Sequence, residues 1–407
     1  MAFATNLVCR KCGKKYPLKP LATCGDCSGP LELDYDYDAI QKSLSREALK
    51  KRQPNMWRYK EFLPLNEPPK VGFDVGFTPL IHAKRLGQAL GLENLYIKND
   101  AVNYPTLSFK DRLVSVAISK AIEFGFQVVG CASTGNLANA VAAQAASAGL
   151  ESYILIPEDL EAIKIMASAV YRPRLVKVHG NFDAVNRLCK EIVNENNWAF
   201  VNVNLRTYYS EGSKTMGYEI LEQLNWRVPD NVVAPMAGGS LLSKINKAFN
   251  EFEKIGWIEK NTTKFFGAQA SGCSPISTAF KENYPEIRPV KPKTIAKSLA
   301  IGNPADGFYA VETIRRSGGW ADDVSDEEII QGIQLLAETE GIFTETAGGV
   351  TIGVLKKLVQ EKRIHPNELT VAAITGQGLK TIEVLSEKDY AIPTIDADYG
   401  DFKRLLK

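Results

Sequence analysis

The sequence predicts an α/β protein of two units with mostly parallel sheets, preceded by a small cysteine-rich module. Three observations carry that expectation. From residue 95 short apolar runs alternate with segments of helical period, a second such series starts at residue 231, and four of the seven cysteines are Cys9, Cys12, Cys24 and Cys27. The chain has 407 residues, 45% hydrophobic and 24% charged, a globular balance with enough length to bury a large core.

Residues 1–34 are rich in Cys and turn formers: CRKCGKKYPL, then CGDCSGPLEL. Residues 46–76 carry mixed charge with Pro54, Pro64, Pro68 and Pro69, and read as a connecting segment with little regular structure. NLYIK (94–98) is a strand, and Leu113, Val114, Ala117, Ile118, Ala121 and Ile122 recur at helical spacing after Lys110. VVGCA (128–132) is a buried strand, followed by an Ala-rich helix ended by Gly149. YILIP (153–157), LVKV (175–178) and WAFVNV (198–203) are strands; 159–170 and FDAVNRLCKEIVNE are helices. This alternation implies a parallel sheet covered by helices on both faces. NVVAPM (231–236), FFGAQA (265–270) and LTVAAITG (369–376) are the later strands, with helices at LLSKINKAFNEF, 325–341 and 347–362. No repeat of fixed period is visible.

The formal net charge is only +2, which argues against a dedicated nucleic-acid or membrane-surface binder. No segment reaches the roughly 18 uninterrupted apolar residues of a membrane span, and MAFATNLVCRKC has no apolar core of a secretory signal. An odd cysteine count with three scattered singles points to a reducing compartment, the cytoplasm.

Five segments bear on chemistry. Cys9-x-x-Cys12 and Cys24-x-x-Cys27 offer four thiolates, the donor set of a structural tetrahedral Zn²⁺ ribbon, with Gly13 and Gly25 permitting the knuckle turns; a disulfide pair or a ribbon without metal is the alternative. Lys110, beside Phe109 at a junction of Pro-containing loop and helix, is placed to be desolvated and to form a Schiff base with an aldehyde, whereas most lysines are solvated surface residues. Ser133-Thr134-Gly135-Asn136 follows a strand and opens a helix. It suits a carboxylate or phosphate and equally makes an ordinary helix cap. Ala237-Gly238-Gly239-Ser240-Leu241 has the same placement and lets backbone approach a phosphate; a plain βα loop reads the same way. Thr375-Gly376-Gln377-Gly378 lies at the C-terminal end of a strand, where ligands of open α/β sheets bind, and is otherwise a tight turn.

Taken in order, these segments resemble the threonine synthase family of fold-type II (tryptophan-synthase β-like) pyridoxal-phosphate enzymes. The resemblance runs through GFTPL (76–80), NYPTLSFKDR, GCASTGNLANAVAA, HGNFDAVNRL, EGSKTMGYEI, GAQASGCSPI, SLAIGNPADG, SDEEI, EGIFTETAGG and ITGQGLK, roughly three quarters of the chain. Some members also carry an N-terminal cysteine ribbon. The resemblance implies that Lys110 carries pyridoxal 5'-phosphate, with Phe109 beside it. Asn136 then faces the cofactor's 3-hydroxyl, Ala237 to Leu241 hold its phosphate, and Thr375 meets its pyridine nitrogen. Ser133, Thr134 and Gly135 fall in the loop that meets the substrate's anionic groups, and Asn202, Asn204 and Arg206 are candidates for the substrate phosphate. It further implies residues 1–45 as ribbon and linker start, and 46–407 as catalytic body. Within that body 110–205 is the smaller unit, and 46–109 plus 206–407 the larger.

The reaction implied is O-phospho-L-homoserine plus water to L-threonine plus phosphate, by γ-elimination and β-addition of water, in a homodimer. The sequence departs from the family pattern at Leu107, often Gly, at Leu137, often Thr, and in the AGGSL loop, which lacks asparagine. These departures leave open a cysteate synthase-like enzyme using O-phosphoserine and sulfite, or a serine/threonine dehydratase. A nucleic-acid-binding protein on a dead enzyme scaffold is disfavoured by the retained Lys110 and the near-zero charge.

Overall fold

A computed structural model gives the structure of residues 3–133, 135–158, 162–179, 182–386 and 392–406. Its strands, in chain order, are β1 (Ala4–Cys9), β2 (Lys15–Tyr16), β3 (Leu31–Tyr35), β4 (Leu80–His82), β5 (Leu95–Asn99), β6 (Val128–Ala132), β7 (Glu151–Pro157), β8 (Arg174–Val178), β9 (Ala199–Phe200), β10 (Asn231–Pro235), β11 (Lys264–Ala270), β12 (Ala321–Val324) and β13 (Thr370–Ile374). They make three sheets. The first, β2-β1-β3, is antiparallel and belongs to the cysteine-rich segment. The second runs β12-β11-β10-β13-β5-β4 and is parallel except for the edge pair β4–β5. The third, β8-β7-β6-β9, is parallel throughout. The expected fold class is the observed one, and the central strands are the apolar runs that a sheet covered on both faces requires.

Seven helices matter for the site: α1 (Lys110–Glu123), α2 (Asn136–Ala148), α3 (Arg206–Glu211), α4 (Lys214–Gln223), α5 (Ser240–Lys254), α6 (Gly307–Ser317) and α7 (Thr346–Gln360). Three of them, α1, α2 and α5, begin within a few residues of a loop that the sequence singles out. Strand β10 pairs with β13, so the loops leaving their C-terminal ends lie side by side.

Two readings need correction. Residues 46–76 are not a loose connector: a 3₁₀ helix covers Met56–Phe62, and Met56, Tyr59, Phe62 and Leu63 are fully buried. The indole of Trp57 donates to Val71 O (3.0 Å), so the proline-rich stretch is tied down as part of the core. The strand expected over 198–203 is only Ala199–Phe200. It stops because Val203 N turns back onto Phe200 O (2.9 Å) and the Asn204 amide caps the strand, accepting from Phe200 N (2.8 Å) and donating to Trp198 O (3.0 Å). The helix expected over 159–170 is Ala162–Ala169; positions 159–161 lie outside the described residues.

The cysteine-rich segment shares its hydrophobic core with the body: Leu7, Leu31, Leu33 and Tyr35 belong to the same cluster as Leu113, Leu242 and Phe249. Buried charge reinforces the join. Tyr35 Oη donates to Glu211 Oε2 (2.8 Å), Lys214 Nζ lies 2.7 Å from Glu211 Oε2, and Lys244 Nζ reaches Glu32 Oε1 (2.8 Å). Burial alone would raise the Glu32 carboxyl, but Lys244, Lys247 and Arg10 outweigh it and hold the group well below the usual carboxylate range.

Candidate active site

The loop before α1 is pinned to the turn after β13. Phe109 N donates to Thr375 O (2.9 Å), Gln377 N donates to Leu107 O (3.1 Å), and Ser108 forms an isolated antiparallel bridge with Gly376. Asp111 ties the loop to the first turn of α1, accepting from Thr106 Oγ1 (2.8 Å), Thr106 N (3.2 Å) and Ser108 N (3.3 Å). Burial pushes its carboxyl up to about 7, against the pull of those bonds and of Lys380. Lys110 is half-buried, and its ammonium, 5.8 Å from the Phe109 ring centroid, has no hydrogen-bond partner among the described residues. Among the described residues neither the buried Ser108 Oγ nor the Thr375 hydroxyl has a hydrogen-bond partner.

Leu107 adopts φ +56°, the left-handed region in which glycine alone is unstrained. The position therefore asks for the glycine that the family often has, and this chain meets it with a half-exposed leucine.

Around α2, Ser133 Oγ accepts from Gly135 N and Ala138 N (3.1 Å each), so this serine caps the helix start. Thr134 lies outside the described residues. Asn136 is brought to the Thr375 turn: its Nδ2 donates to both oxygens of Glu345 (2.9 and 3.0 Å), and its Oδ1 accepts from Lys380 Nζ (2.9 Å). Glu345 N donates to Gly376 O (3.0 Å), which closes the circle. Neither Glu345 nor Lys380 was singled out from the sequence, although both sit inside the TETAGG and ITGQGLK segments.

The AGGSL loop leaves β10 next to that turn. Gly239 has φ +90°, and a Cβ there would lie 2.9 Å from Asp306 O and 3.0 Å from Ala310 Cβ, so only glycine fits. Helix α5 then starts at Ser240 with no side-chain cap, and the first N–H groups of a 15-residue helix face the loop side. Ala237, Gly238 and Ser240 are half-buried and Leu241 is buried. Arg206 pairs with Asp306 (2.6 Å), whose N–H donates to Gly238 O (3.0 Å), and Arg206 and Ser240 line one small cavity. The Asn202 amide is bound to the Ala132 backbone through both its atoms (3.1 and 3.3 Å), and that of Asn204 to Trp198 and Phe200.

In the ribbon, the sulfurs of Cys9, Cys12, Cys24 and Cys27 all lie within 4.8 Å of one another, with Cys9–Cys27 at 3.5 Å and Cys12–Cys24 at 3.7 Å. A tetrahedron with Zn–S of ~2.3 Å needs S···S of roughly 3.8 Å, so the spacing suits a metal. Tyr16 Oη, 3.0 Å from Cys24 Sγ, is the main cause holding that thiol down to about 6. Gly13 turns the first knuckle at φ +75°. The second turns at Ser28 (φ +55°) rather than Gly25, and a Cβ on Gly29 would come within 2.9 Å of Cys9 Sγ. Metal analysis is expected to find one zinc per chain. Cys24→Ser should lose it and lower the unfolding midpoint by roughly 5 °C or more; an unchanged melt with no bound metal would remove the site's structural role.

The family model "Pyridoxal-phosphate dependent enzyme" matches residues 71–376. The chain is 40% identical over 402 residues to a threonine synthase of Methanocaldococcus jannaschii, covering 98% of each chain. It is 37% identical over 399 residues to one of Methanosarcina acetivorans, covering 96% of this chain and 97% of that protein. The chain belongs to the threonine synthase family. As a threonine synthase family member it is a pyridoxal-phosphate-dependent lyase, and the similarity to the Methanocaldococcus protein takes in the ribbon that precedes the family model's first residue. Among solved structures, a threonine deaminase of Solanum lycopersicum superposes with TM-score 0.63 at 23% identity, covering 77% of this chain and 88% of that one. A pyridoxal 5'-phosphate-dependent aspartate racemase gives TM-score 0.65 at 18% identity, covering 78% and 95%. These two show the fold alone. No described helix is long and apolar enough to cross a membrane.

Proposed function

We propose that the chain converts O-phospho-L-homoserine and water to L-threonine and phosphate at the place where the Lys110, Asn136 and Thr375 segments meet. That convergence carries the reading. The donor set fits pyridoxal phosphate: an amine with no hydrogen-bond partner among the described residues for the aldehyde, an amide for the ring oxygen, and a neutral hydroxyl for the ring nitrogen. A glycine loop at an uncapped helix start serves the phosphate. When bound, the cofactor supplies the electron sink for the substrate carbanion.

The chain's own residues do the rest. Lys110 holds the cofactor and moves the proton at the substrate's α-carbon. Asn136 orients the ring, and a neutral hydroxyl at Thr375 leaves the ring nitrogen unforced, where a carboxylate would keep it protonated. Ala237, Gly238, Gly239, Ser240 and Leu241 hold the cofactor phosphate, and Phe109 packs beside the lysine. Ser133, Thr134 and Gly135 receive the substrate's anionic groups. Asn202, Asn204 and Arg206 are the residues for the substrate phosphate; backbone contacts hold the two amides in place, and Asp306 holds the Arg206 guanidinium. The ribbon holds structural zinc, residues 110–205 form the smaller unit, and the enzyme works as a cytoplasmic homodimer.

The test gives the purified chain O-phospho-L-homoserine, with O-phosphoserine plus sulfite alongside. Equal amounts of threonine and phosphate from the first are expected. Phosphate released only from the second substrate would overturn the assignment in favour of a cysteate-forming reaction.

A further inference from the structure

Asn136 sits between two charged groups that can be satisfied in only one way. An ammonium only donates, so Lys380 Nζ at 2.9 Å must face the amide oxygen; the carboxylate of Glu345 accepts, so it faces the amide nitrogen at 2.9 and 3.0 Å. Turning the amide over would set oxygen against carboxylate and N–H against ammonium, two repulsive contacts in place of two charge-assisted bonds. An asparagine without such neighbours turns over at little steric cost.

The two charged groups come from elements that otherwise hold the Thr375 turn. Glu345 precedes α7, and its backbone N–H binds Gly376 O; a Cβ on Gly376 would lie 2.5 Å from Glu345 Oε1, so carboxylate and turn are in contact. Lys380 lies on the 3₁₀ helix Gly378–Leu385 that continues the same turn. Burial lowers the Lys380 ammonium, and the nearby Glu345 and Asp111 carboxylates oppose that pull. Lys380 makes one hydrogen bond among the described residues, so two of its three donors remain for the pocket. A half-buried ammonium carries a desolvation cost that an apolar residue would avoid, and the clamp on Asn136 is the contact it gains in return.

We propose that Lys380 and Glu345 are positioning residues that fix the Asn136 amide in one orientation and thereby set how tightly the chain holds its cofactor. This rests on Asn136 contacting the cofactor, as proposed above. The purified full chain, stripped of cofactor, is titrated with pyridoxal 5'-phosphate, and the dissociation constant is read from absorbance. Lys380→Met and Glu345→Gln are each expected to weaken binding tenfold or more, and Lys380→Arg, which keeps the cation, to recover most of the loss. Because both act through one amide, Lys380→Met in an Asn136→Ala background should add less than twofold. Unchanged binding in Lys380→Met, or the same tenfold loss with Asn136 already removed, overturns the clamp. Thermal melts of the stripped variants separate misfolding from these outcomes, and Glu345→Gln, which keeps size and shape, stands in if Lys380→Met does not fold. Asn136→Ala binding the cofactor as tightly as the parent would instead sink the placement of Asn136, a failure of the underlying reading rather than of the clamp alone.

Discussion

Lys110→Ala is expected to lower turnover at least ~10³-fold while leaving the fold intact. The residue supplies two things at once, the covalent hold on the cofactor and the base at the substrate's α-carbon, and proton transfer alone is worth about 10²–10⁴-fold. Its ammonium has no partner among the described residues, so its loss breaks no hydrogen bond with them and leaves none of their buried groups unpaired. Structural damage is therefore a poor explanation for any loss seen. The decisive measurement is peptide mass spectrometry after borohydride reduction and digestion. The parent chain should gain the cofactor's mass on the peptide that carries Lys110, and the variant should not. Retention of the tether at another lysine would move the assignment away from Lys110.

The second large effect is on stability. Arg112 is fully buried two residues after Lys110, and its guanidinium forks onto two carboxylates: Nε to Asp100 Oδ2 (2.6 Å), Nη2 to Asp100 Oδ1 (2.9 Å) and Nη2 to Glu219 Oε2 (2.8 Å). Lys98, 2.6 Å from Glu219, completes a neutral buried quartet that joins β5, α1 and α4. Arg112→Met leaves two carboxylates to one lysine and is expected to cost about 3–5 kcal/mol in denaturant unfolding. Arg112→Lys should recover only part, because an ammonium cannot reproduce the fork.

Acid offers a check on that ion pair. Burial would raise the Glu219 carboxyl, yet Arg112 and Lys98 hold it at about 2, below the ordinary 4.5. A depressed value stabilises the fold above about pH 4.5 and gives that contribution up as pH falls toward 2. The parent should lose stability across that window, and Arg112→Met should lose less. An equal slope in both would mean that the quartet does not carry the acid sensitivity.

What the sequence made legible follows from how local each signal is. VVGCA and NVVAPM are continuous apolar runs, and a strand buried on both faces can be written no other way. Lys110, Asn136 and the glycine loop each lie where a strand hands over to a helix, a boundary that residue type marks. By contrast β12 is written ADDV, and it is an edge strand whose Asp322 is neutralised by Lys281 and Lys357 from distant helices. Nothing within four residues announces it. The prolines of residues 46–76 resemble a linker, while Tyr59 and Phe62 find their burial against α4 and α5, more than 150 residues further on, and Met56 packs with Val75 and with Val116 of α1. The clamp on Asn136 was invisible for the same reason: Glu345 is 209 residues away and Lys380 is 244.

The charged join between ribbon and body also has a consequence for the chain as it is being made. The four cysteines, within nineteen residues of one another, are complete as soon as Cys27 leaves the ribosome. The groups that cover the ribbon's inner face, Glu211, Lys214, Lys244 and Lys247, are synthesised far later. At ~5–20 residues per second the end of α5 follows the end of β3 by roughly 10–40 s. Through that interval Leu7, Leu33 and Tyr35 have no body to pack against. Early capture of metal would keep this face in one shape, so that the nascent chain presents a preformed dock when α3, α4 and α5 arrive.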